Sequence, residues 1–183
     1  LIETEEDVDA LSPADPAMLG YVTQTTLSVE DTAGIIARLK ERFPGLADPA
    51  AESICYATTN RQDAVKLAAE GADHFLIVGA PNSSNSKRLV EVALRAGAAR
   101  AVLVRTAADI PWDELDGARV LGLSAGASAP EILVDEIIME IRKRFDTEIE
   151  LAETAQENEM FPVMRALRDV PLTAQDMAFV NGN

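Results

Sequence analysis

Cysteine, aromatic residues and long apolar runs are all scarce in this sequence, and each shortage narrows the class of protein. One cysteine occurs among 183 residues, so no disulfide can form within the chain, and nothing favours a secreted, disulfide-held scaffold. No apolar run approaches the roughly 20 residues that a helix needs to cross a bilayer, and no signal-peptide pattern is present. We therefore expect a cytoplasmic protein.

Positive charge is also in short supply. The chain has 16 basic and 31 acidic residues, a formal net charge of −15. So acidic a surface repels nucleic acid and anionic membranes, and we expect neither as a partner. The acidic residues cluster at residues 3–9, 109–116 and 148–159, which we interpret as solvated faces.

Aliphatic residues make up for the shortage of aromatics. Hydrophobic residues are 48% of the chain and aromatic residues only 4%, so the core must be built from Ala, Val, Ile and Leu. Short apolar runs alternate with amphipathic segments, an order typical of helices packed on a buried parallel sheet. We predict an α/β fold in which parallel sheets are flanked by helices.

The predicted elements follow from these runs and from their caps and breakers. The strands are predicted at residues 19–25, 53–56, 75–79, 101–105 and 119–123. Ser28 is a predicted N-cap for a helix ending near residue 44. Further helices are predicted at residues 61–70, 86–96 and from Pro130 onward, with a helical turn near residues 111–115.

A Gly/Pro/Ala-rich link at residues 44–51 divides the chain unequally. Before it lie one predicted strand and one helix, too little for an independent sheet, and after it lie enough elements for one. We expect residues 1–49 to be the carboxyl-terminal part of an incomplete α/β module and residues 50–145 to be a complete module. Residues 146–183 are expected to form a tail that packs across the body. The chain starts at Leu1 rather than Met, which is typical of a truncated sequence.

Four polar loops are predicted at the carboxyl ends of the strands, where open α/β sheets bind ligands. They are residues 23–26, 55–60, 82–86 and 124–128. Helix N-terminal N–H groups and Ser/Thr hydroxyls donate to oxyanions, so these loops suit a phosphorylated ligand. Each loop alone is also explained as an ordinary helix cap. A helix cap needs only one hydrogen-bonding side chain, whereas residues 82–86 carry a continuous run of them.

Cys55 ends a predicted strand at the same edge. A lone cysteine is usually a small buried hydrophobe, but the polar neighbours and the nearby helix N-terminus also suit a thiolate nucleophile or metal ligand. The one histidine, His74, precedes the strand at residues 75–79, so we expect it on the surface roughly 16 Å from that edge. A Cys–His dyad is therefore not expected. One cysteine cannot hold a four-iron cluster, so any cluster needs ligands from elsewhere.

Four motifs, in this order and spacing, resemble those of the 4-hydroxy-3-methylbut-2-enyl diphosphate reductase (LytB/IspH) family. They are YVTQTTLS at residues 21–28, ICYATTNRQ at 54–62, VGAPNSSNS at 78–86 and SAGASAP at 124–130. Residues 157–158 and 161–162 are similar to the end of the family's sequences. The resemblance covers nearly the whole chain and is to the carboxyl-terminal part of the family.

The resemblance implies a reaction and a cofactor. The family reduces 4-hydroxy-3-methylbut-2-enyl diphosphate to isopentenyl and dimethylallyl diphosphates in non-mevalonate isoprenoid biosynthesis. It does so with an iron–sulfur (4Fe-4S) cluster and an electron-donor protein such as ferredoxin or flavodoxin. Cys55 matches the third of the cysteines that hold the cluster. The positions that match the family's substrate-binding residues, which act largely on the diphosphate, are Thr25, Ser83, Ser84, Asn85 and Ser128.

The sequence also departs from the family. The other cluster cysteines, the substrate-binding histidines and the catalytic glutamate belong to the family's amino-terminal region, so no catalytic residue is assigned here. If these 183 residues were the whole molecule, we would expect no bound cluster and no reductase activity. The alternative is a non-catalytic α/β module that binds a phosphorylated small molecule. An incomplete module would also leave a sheet edge unpaired, which predicts self-association.

Overall fold

A computed structural model describes residues 1–49 and 54–154. Within these ranges the chain forms one parallel sheet of three strands, in the order β2-β1-β3, with helices on both faces. The strands are β1 (His74–Val78), β2 (Ala101–Val104) and β3 (Leu121–Ala125). The helices are α1 (Glu5–Ala10), α2 (Val29–Arg42), α3 (Tyr56–Ala69), α4 (Ser84–Arg95) and α5 (Glu131–Arg144). Short 3-10 turns span Ala107–Asp109 and Trp112–Glu114. The predicted α/β class is confirmed.

The central strand β1 is buried along its whole length, because both of its faces are covered. Phe75 and Ile77 point into a core shared with α3 and α4, where Leu89 is fully buried. Leu76 and Val78 point the other way, into a core shared with α5. The alternation of side chains along a strand thus divides one apolar run between two cores.

Within residues 1–49, α1 packs on α2 around Val8, Leu39 and Phe43. The predicted strand at residues 19–25 is wrong. Gly20 makes a single parallel bridge with Ala47, and the chain turns at residues 25–26. A strand persists only where a neighbour pairs with successive backbone groups, and the described residues provide that neighbour at one position.

The predicted strand at residues 53–56 is also wrong. Residue 53 lies outside the described residues, Ile54 lies in a bend, and Tyr56 already begins α3. The backbone N–H groups of Thr58 and Thr59 donate to the Cys55 carbonyl at 2.8 and 3.1 Å. The predicted polar loop at residues 55–60 is therefore the N-cap and first turns of a helix that was expected to start at residue 61.

The strand predicted at residues 119–123 lies further along the chain, at Leu121–Ala125. The Asp73 carboxylate accepts the backbone N–H groups of Arg119 and Val120 at 2.8 and 3.0 Å. The Asp73 side chain thus occupies the N–H groups of those two residues, and the regular ladder between β1 and β3 starts after them. Ser124 consequently belongs to β3, and the polar loop that follows the strand is shorter than predicted.

The remaining elements lie within a few residues of their predicted places. Ser28 caps α2 as expected, with its Oγ accepting the Asp31 N–H at 3.0 Å. Pro130 immediately precedes α5, and Gly71, with φ of 75°, follows the end of α3. These signals are local in the sequence, which is why they were readable there.

Helix α2 contacts helices α3 and α4 through charged pairs. Asp31 of α2 accepts from Arg88 of α4 at 2.6 Å and also from Arg95, while Glu30 pairs with Lys66 of α3 at 2.5 Å. At the other end, the Thr154 hydroxyl donates to the Asn60 carbonyl at 3.3 Å, so the tail up to residue 154 reaches α3. Residues 155–183, which include the tail motifs at 157–158 and 161–162, lie outside the described residues. The module boundaries stay predictions.

Across residues 1–49 and 54–154, none of the helices combines the length and the apolar character that a membrane crossing requires.

Candidate functional site

The carboxyl ends of β1 and β3 lie side by side at one edge of the sheet, and the polar loops follow directly from them. Val78 pairs with Ala125, and the Gly126 N–H donates to the Val78 carbonyl at 2.8 Å. Beyond these strand ends the chain enters α4 on one side and α5 on the other. The loops at residues 82–86 and 126–128, which are far apart in sequence, are therefore neighbours.

The first of these loops caps α4. Ser83 is the N-cap, and its Oγ accepts the Ser86 N–H at 3.2 Å. Ser84, the first helical residue, is exposed. Asn85 is only 7% exposed, yet neither polar atom of its side-chain amide has a hydrogen-bond partner among the described residues. A buried amide without partners is costly, so Asn85 is a candidate contact for a polar ligand.

The second loop passes close to Asn85. A Cβ atom on Gly126 would lie 3.7 Å from the Asn85 Nδ2. The loop is closed by the Ala129 N–H, which donates to the Gly126 carbonyl at 2.9 Å, and Ser128 within it is exposed. The structure therefore brings the loop of Ser128 next to the helix start that carries Ser83, Ser84 and Asn85.

Cys55 is the N-cap of α3 and is exposed, so its interpretation as a small buried hydrophobe is wrong. Its backbone N–H donates to the Thr25 carbonyl at 3.3 Å, which places these two predicted site residues in contact. Thr25 is also exposed. The Cys55 side chain makes no cap hydrogen bond to its own helix.

Arg61 connects the helix of Cys55 to the strand that leads to Ser128. Its Nη1 donates to the Ala125 carbonyl at 2.7 Å, while its Nε is buried and has no partner among the described residues. The sequence placed Arg61 near the polar loops but did not reveal this contact. Helix α3 thus joins two pairs of neighbours. One pair is Thr25 with Cys55, and the other is Asn85 with the Ser128 loop.

His74 begins β1 and so lies at the end of the strand away from this edge, as predicted. Its predicted surface position is wrong, because it is only 9% exposed. His74 pairs with Leu121 in the sheet register, and β1 is the central strand, so its first residue is already covered.

Two surface cavities lie elsewhere, around the end of α5. One of about 560 Å³ is lined by residues 142–147, and one of about 450 Å³ lies between the turn at residues 106–108 and α5. None of the predicted site residues lines either cavity. In the described part of the chain, His, Cys, Asp and Glu side chains form no group of three or more that could hold a metal ion.

Comparison with known proteins agrees with the motifs. A family model described as LytB protein matches residues 1–142. Proteins named 4-hydroxy-3-methylbut-2-enyl diphosphate reductase from Rhizobium etli and Mesorhizobium japonicum are 69% and 70% identical over 182 residues. Each alignment covers 100% of this chain but only 55% and 54% of the relative. The chain thus spans about half the length of the curated relatives it matches.

A solved structure leads to the same family. The E-1-hydroxy-2-methyl-but-2-enyl-4-diphosphate reductase from Plasmodium falciparum superimposes with a TM-score of 0.78 at 32% identity, over 99% of this chain and 54% of that one. The likeness therefore extends from the motifs to the arrangement of the elements that carry them. On these matches in sequence and structure, the chain belongs to the LytB (IspH) family.

Proposed function

We propose that this chain supplies the diphosphate-binding loops and one cluster-binding cysteine of a 4-hydroxy-3-methylbut-2-enyl diphosphate reductase in isoprenoid biosynthesis. The relatives that carry this name match the chain over its whole length, and it corresponds to their carboxyl-terminal part. The observation on which the proposal depends most is the buried, unpartnered amide of Asn85 at the N-terminus of α4. The cytoplasmic location stays a prediction.

The donors around Asn85 suit a diphosphate group. Ser83, Ser84 and Ser128 offer hydroxyls, Asn85 offers an amide, and the first N–H groups of α4 add the positive end of a helix dipole. These donors are neutral, so a net charge of −15 does not prevent them from binding an anion locally. Their role is to fix one end of the substrate and thereby align the other end for reaction. Thr25, whose carbonyl accepts the Cys55 backbone N–H, is a further proposed contact.

The described residues fit one ligand position of an iron–sulfur cluster and not a complete set. The Cys55 side chain is exposed and uncommitted to its helix, and thiolates are the usual ligands of such clusters. The remaining ligands must come from outside the described residues. When bound, the cluster would supply the electrons for reduction, fed by a donor of the ferredoxin or flavodoxin kind. This chain's own loops would hold and orient the diphosphate.

Replacing Cys55 with serine in the full-length protein tests the proposal. We expect Cys55→Ser to abolish turnover and, after anaerobic reconstitution and reduction with dithionite, the four-iron EPR signal, because cysteine thiolates are the usual ligands of such clusters and a serine hydroxyl binds iron more weakly. Pyrophosphate binding, measured by calorimetry, should change by less than about twofold, since a small exchange at an exposed site costs little. That retained affinity controls for misfolding.

Other outcomes would contradict parts of this proposal. A variant with unchanged cluster signal and turnover would show that Cys55 is not a ligand, as a non-catalytic binding module predicts. A stable four-iron spectrum from the 183-residue chain alone would contradict the need for further ligands. Self-association of the chain also stays a prediction.

A further inference from the structure

Ser86 is buried between two glycines that directly follow different strands. It is 1% exposed, and it lies on the first turn of α4. A Cβ atom added to Gly79, directly after β1, would overlap the Ser86 Oγ, and so would a Cβ atom added to Gly126, directly after β3. The glycines therefore leave the space that the Ser86 side chain fills. This fixes the position of its hydroxyl group.

The Ser86 hydroxyl acts on Ser83. Ser86 Oγ donates to Ser83 Oγ at 3.0 Å, and the Ser86 backbone N–H donates to the same oxygen at 3.2 Å. A hydroxyl oxygen has two acceptor lone pairs and one proton. Both acceptor positions of Ser83 are thus occupied from within α4, and its own proton is left to donate outward.

From this arrangement we infer that Ser86 is a positioning residue that makes Ser83 a dedicated donor to an oxyanion. An unconstrained serine can rotate and act as donor or acceptor, whereas an anion needs donors only. Anion binding then requires no reorientation of the Ser83 hydroxyl, which is the advantage of a preorganised site. The inference rests on the proposed function, because Ser83 is a proposed diphosphate contact.

A second observation shows that this helix start is more than a cap. The neighbouring Asn85 is more than nine-tenths buried and its amide has no partner among the described residues. An ordinary N-cap needs one hydroxyl, which accepts one backbone N–H. The additional side-chain bond from Ser86 to Ser83 serves no capping purpose, because the Ser86 N–H already satisfies that need.

A double-mutant cycle on pyrophosphate affinity tests the inference in the full-length protein. Ser86→Ala removes the donor without adding volume between the glycines, and we expect pyrophosphate to bind about two- to tenfold more weakly. Ser83→Ala should weaken binding at least as much. The double variant should bind within about twofold of Ser83→Ala, because Ser86 acts only through Ser83. Calorimetry measures the affinities, and thermal unfolding confirms that each variant is folded.

Thr4→Ala is a matched control. It removes another N-cap hydroxyl, that of α1, where Thr4 Oγ1 accepts the Asp7 N–H at 3.2 Å. Its pyrophosphate affinity should equal that of the unmodified protein. If Ser86→Ala does not fold, Ser86→Cys, which keeps a side chain in the space and replaces the hydroxyl with a weak donor, takes its place in the cycle.

The outcomes separate this inference from the proposed function. An unchanged pyrophosphate affinity in Ser86→Ala would show that Ser86 does not act through Ser83. The same would follow if the loss of affinity in the double variant equalled the product of the two single losses. Those results would leave the diphosphate site standing. If the unmodified protein bound no pyrophosphate, the diphosphate site would be wrong and the role of Ser86 with it.

Discussion

Gly122 lies in β3 directly opposite Phe75 of the central strand. A Cβ atom at position 122 would overlap the Phe75 ring, which is fully buried. The ring cannot move without disturbing the core between the sheet and helices α3 and α4. We expect Gly122→Ala to lower the free energy of unfolding by about 1–3 kcal/mol, the usual cost of overpacking a core. Urea denaturation followed by circular dichroism measures this change in the free energy of unfolding.

Gly45→Ala is the matched control for this prediction. No heavy atom lies within 4 Å of a Cβ at position 45, and its φ is negative. Alanine there should leave stability unchanged or raise it by up to about 1 kcal/mol, since it restricts the unfolded chain. Equal losses from both substitutions would show that the Phe75 contact is not the cause.

Single residues were predictable from the sequence where their neighbours are local. Ser83 and Asn85 stood out because they belong to one short polar run that leads into a helix. The contacts of Ser86 with Gly79 and Gly126 could not be read in the same way, because they require two strand ends to meet. The exposure of Cys55 likewise depends on which segments cover it, and the sequence left that open.

Helix α2 is held against α4 by Asp31, whose side chain is 25% exposed and contacts Arg88 and Arg95. Partial burial acts to raise the pKa of Asp31, but the Arg95 hydrogen bond and the two guanidinium charges outweigh it and lower the pKa. Near neutral pH, we expect Asp31→Asn to destabilise the protein by about 1 kcal/mol, as solvent screening keeps such pairs weak. Urea denaturation measures the difference.

The pH dependence follows from the direction of that shift. A carboxyl whose pKa is lowered by folding stabilises the folded state fully above its unfolded pKa of about 4. That stabilisation is lost as the pH falls through the lower folded-state value. The difference between the unmodified protein and Asp31→Asn should therefore shrink in acid. Glu131→Gln, which removes an exposed first-turn carboxylate of α5, is the control, and its free energy of unfolding should stay within about 0.5 kcal/mol of that of the unmodified protein at every pH. A stability difference between the unmodified protein and Asp31→Asn that grows in acid would contradict this account of Asp31.

Among whole elements, helices were predicted better than strands, for a physical reason. A helix satisfies its hydrogen bonds within a few residues, so the Ser28 cap and the Gly71 terminator were visible in the sequence. A strand depends on its neighbours. The apolar run at residues 19–25 has one bridging partner and does not become a strand, and Asp73 delays the start of β3.

At the scale of the whole molecule, the net charge and the proposed ligand have the same sign. The chain carries a formal charge of −15, and pyrophosphate is also strongly anionic. Long-range repulsion therefore opposes binding, while neutral hydroxyls, an amide and helix N–H groups favour it at short range. Arg88, a cation near the α4 start, is already committed to Asp31 and Glu91.

This balance predicts an unusual response to salt. Raising the ionic strength from about 0.01 to about 0.1 M shortens the screening length from roughly 30 to roughly 10 Å, which weakens the repulsion more than the local hydrogen bonds. Pyrophosphate affinity should therefore hold steady or rise, as calorimetry in potassium chloride would show. Lys87→Met, which removes an exposed cation beside the loop, should leave that dependence unchanged. A steep fall in affinity with salt, abolished by Lys87→Met, would mean that a basic side chain rather than the neutral donors holds the diphosphate.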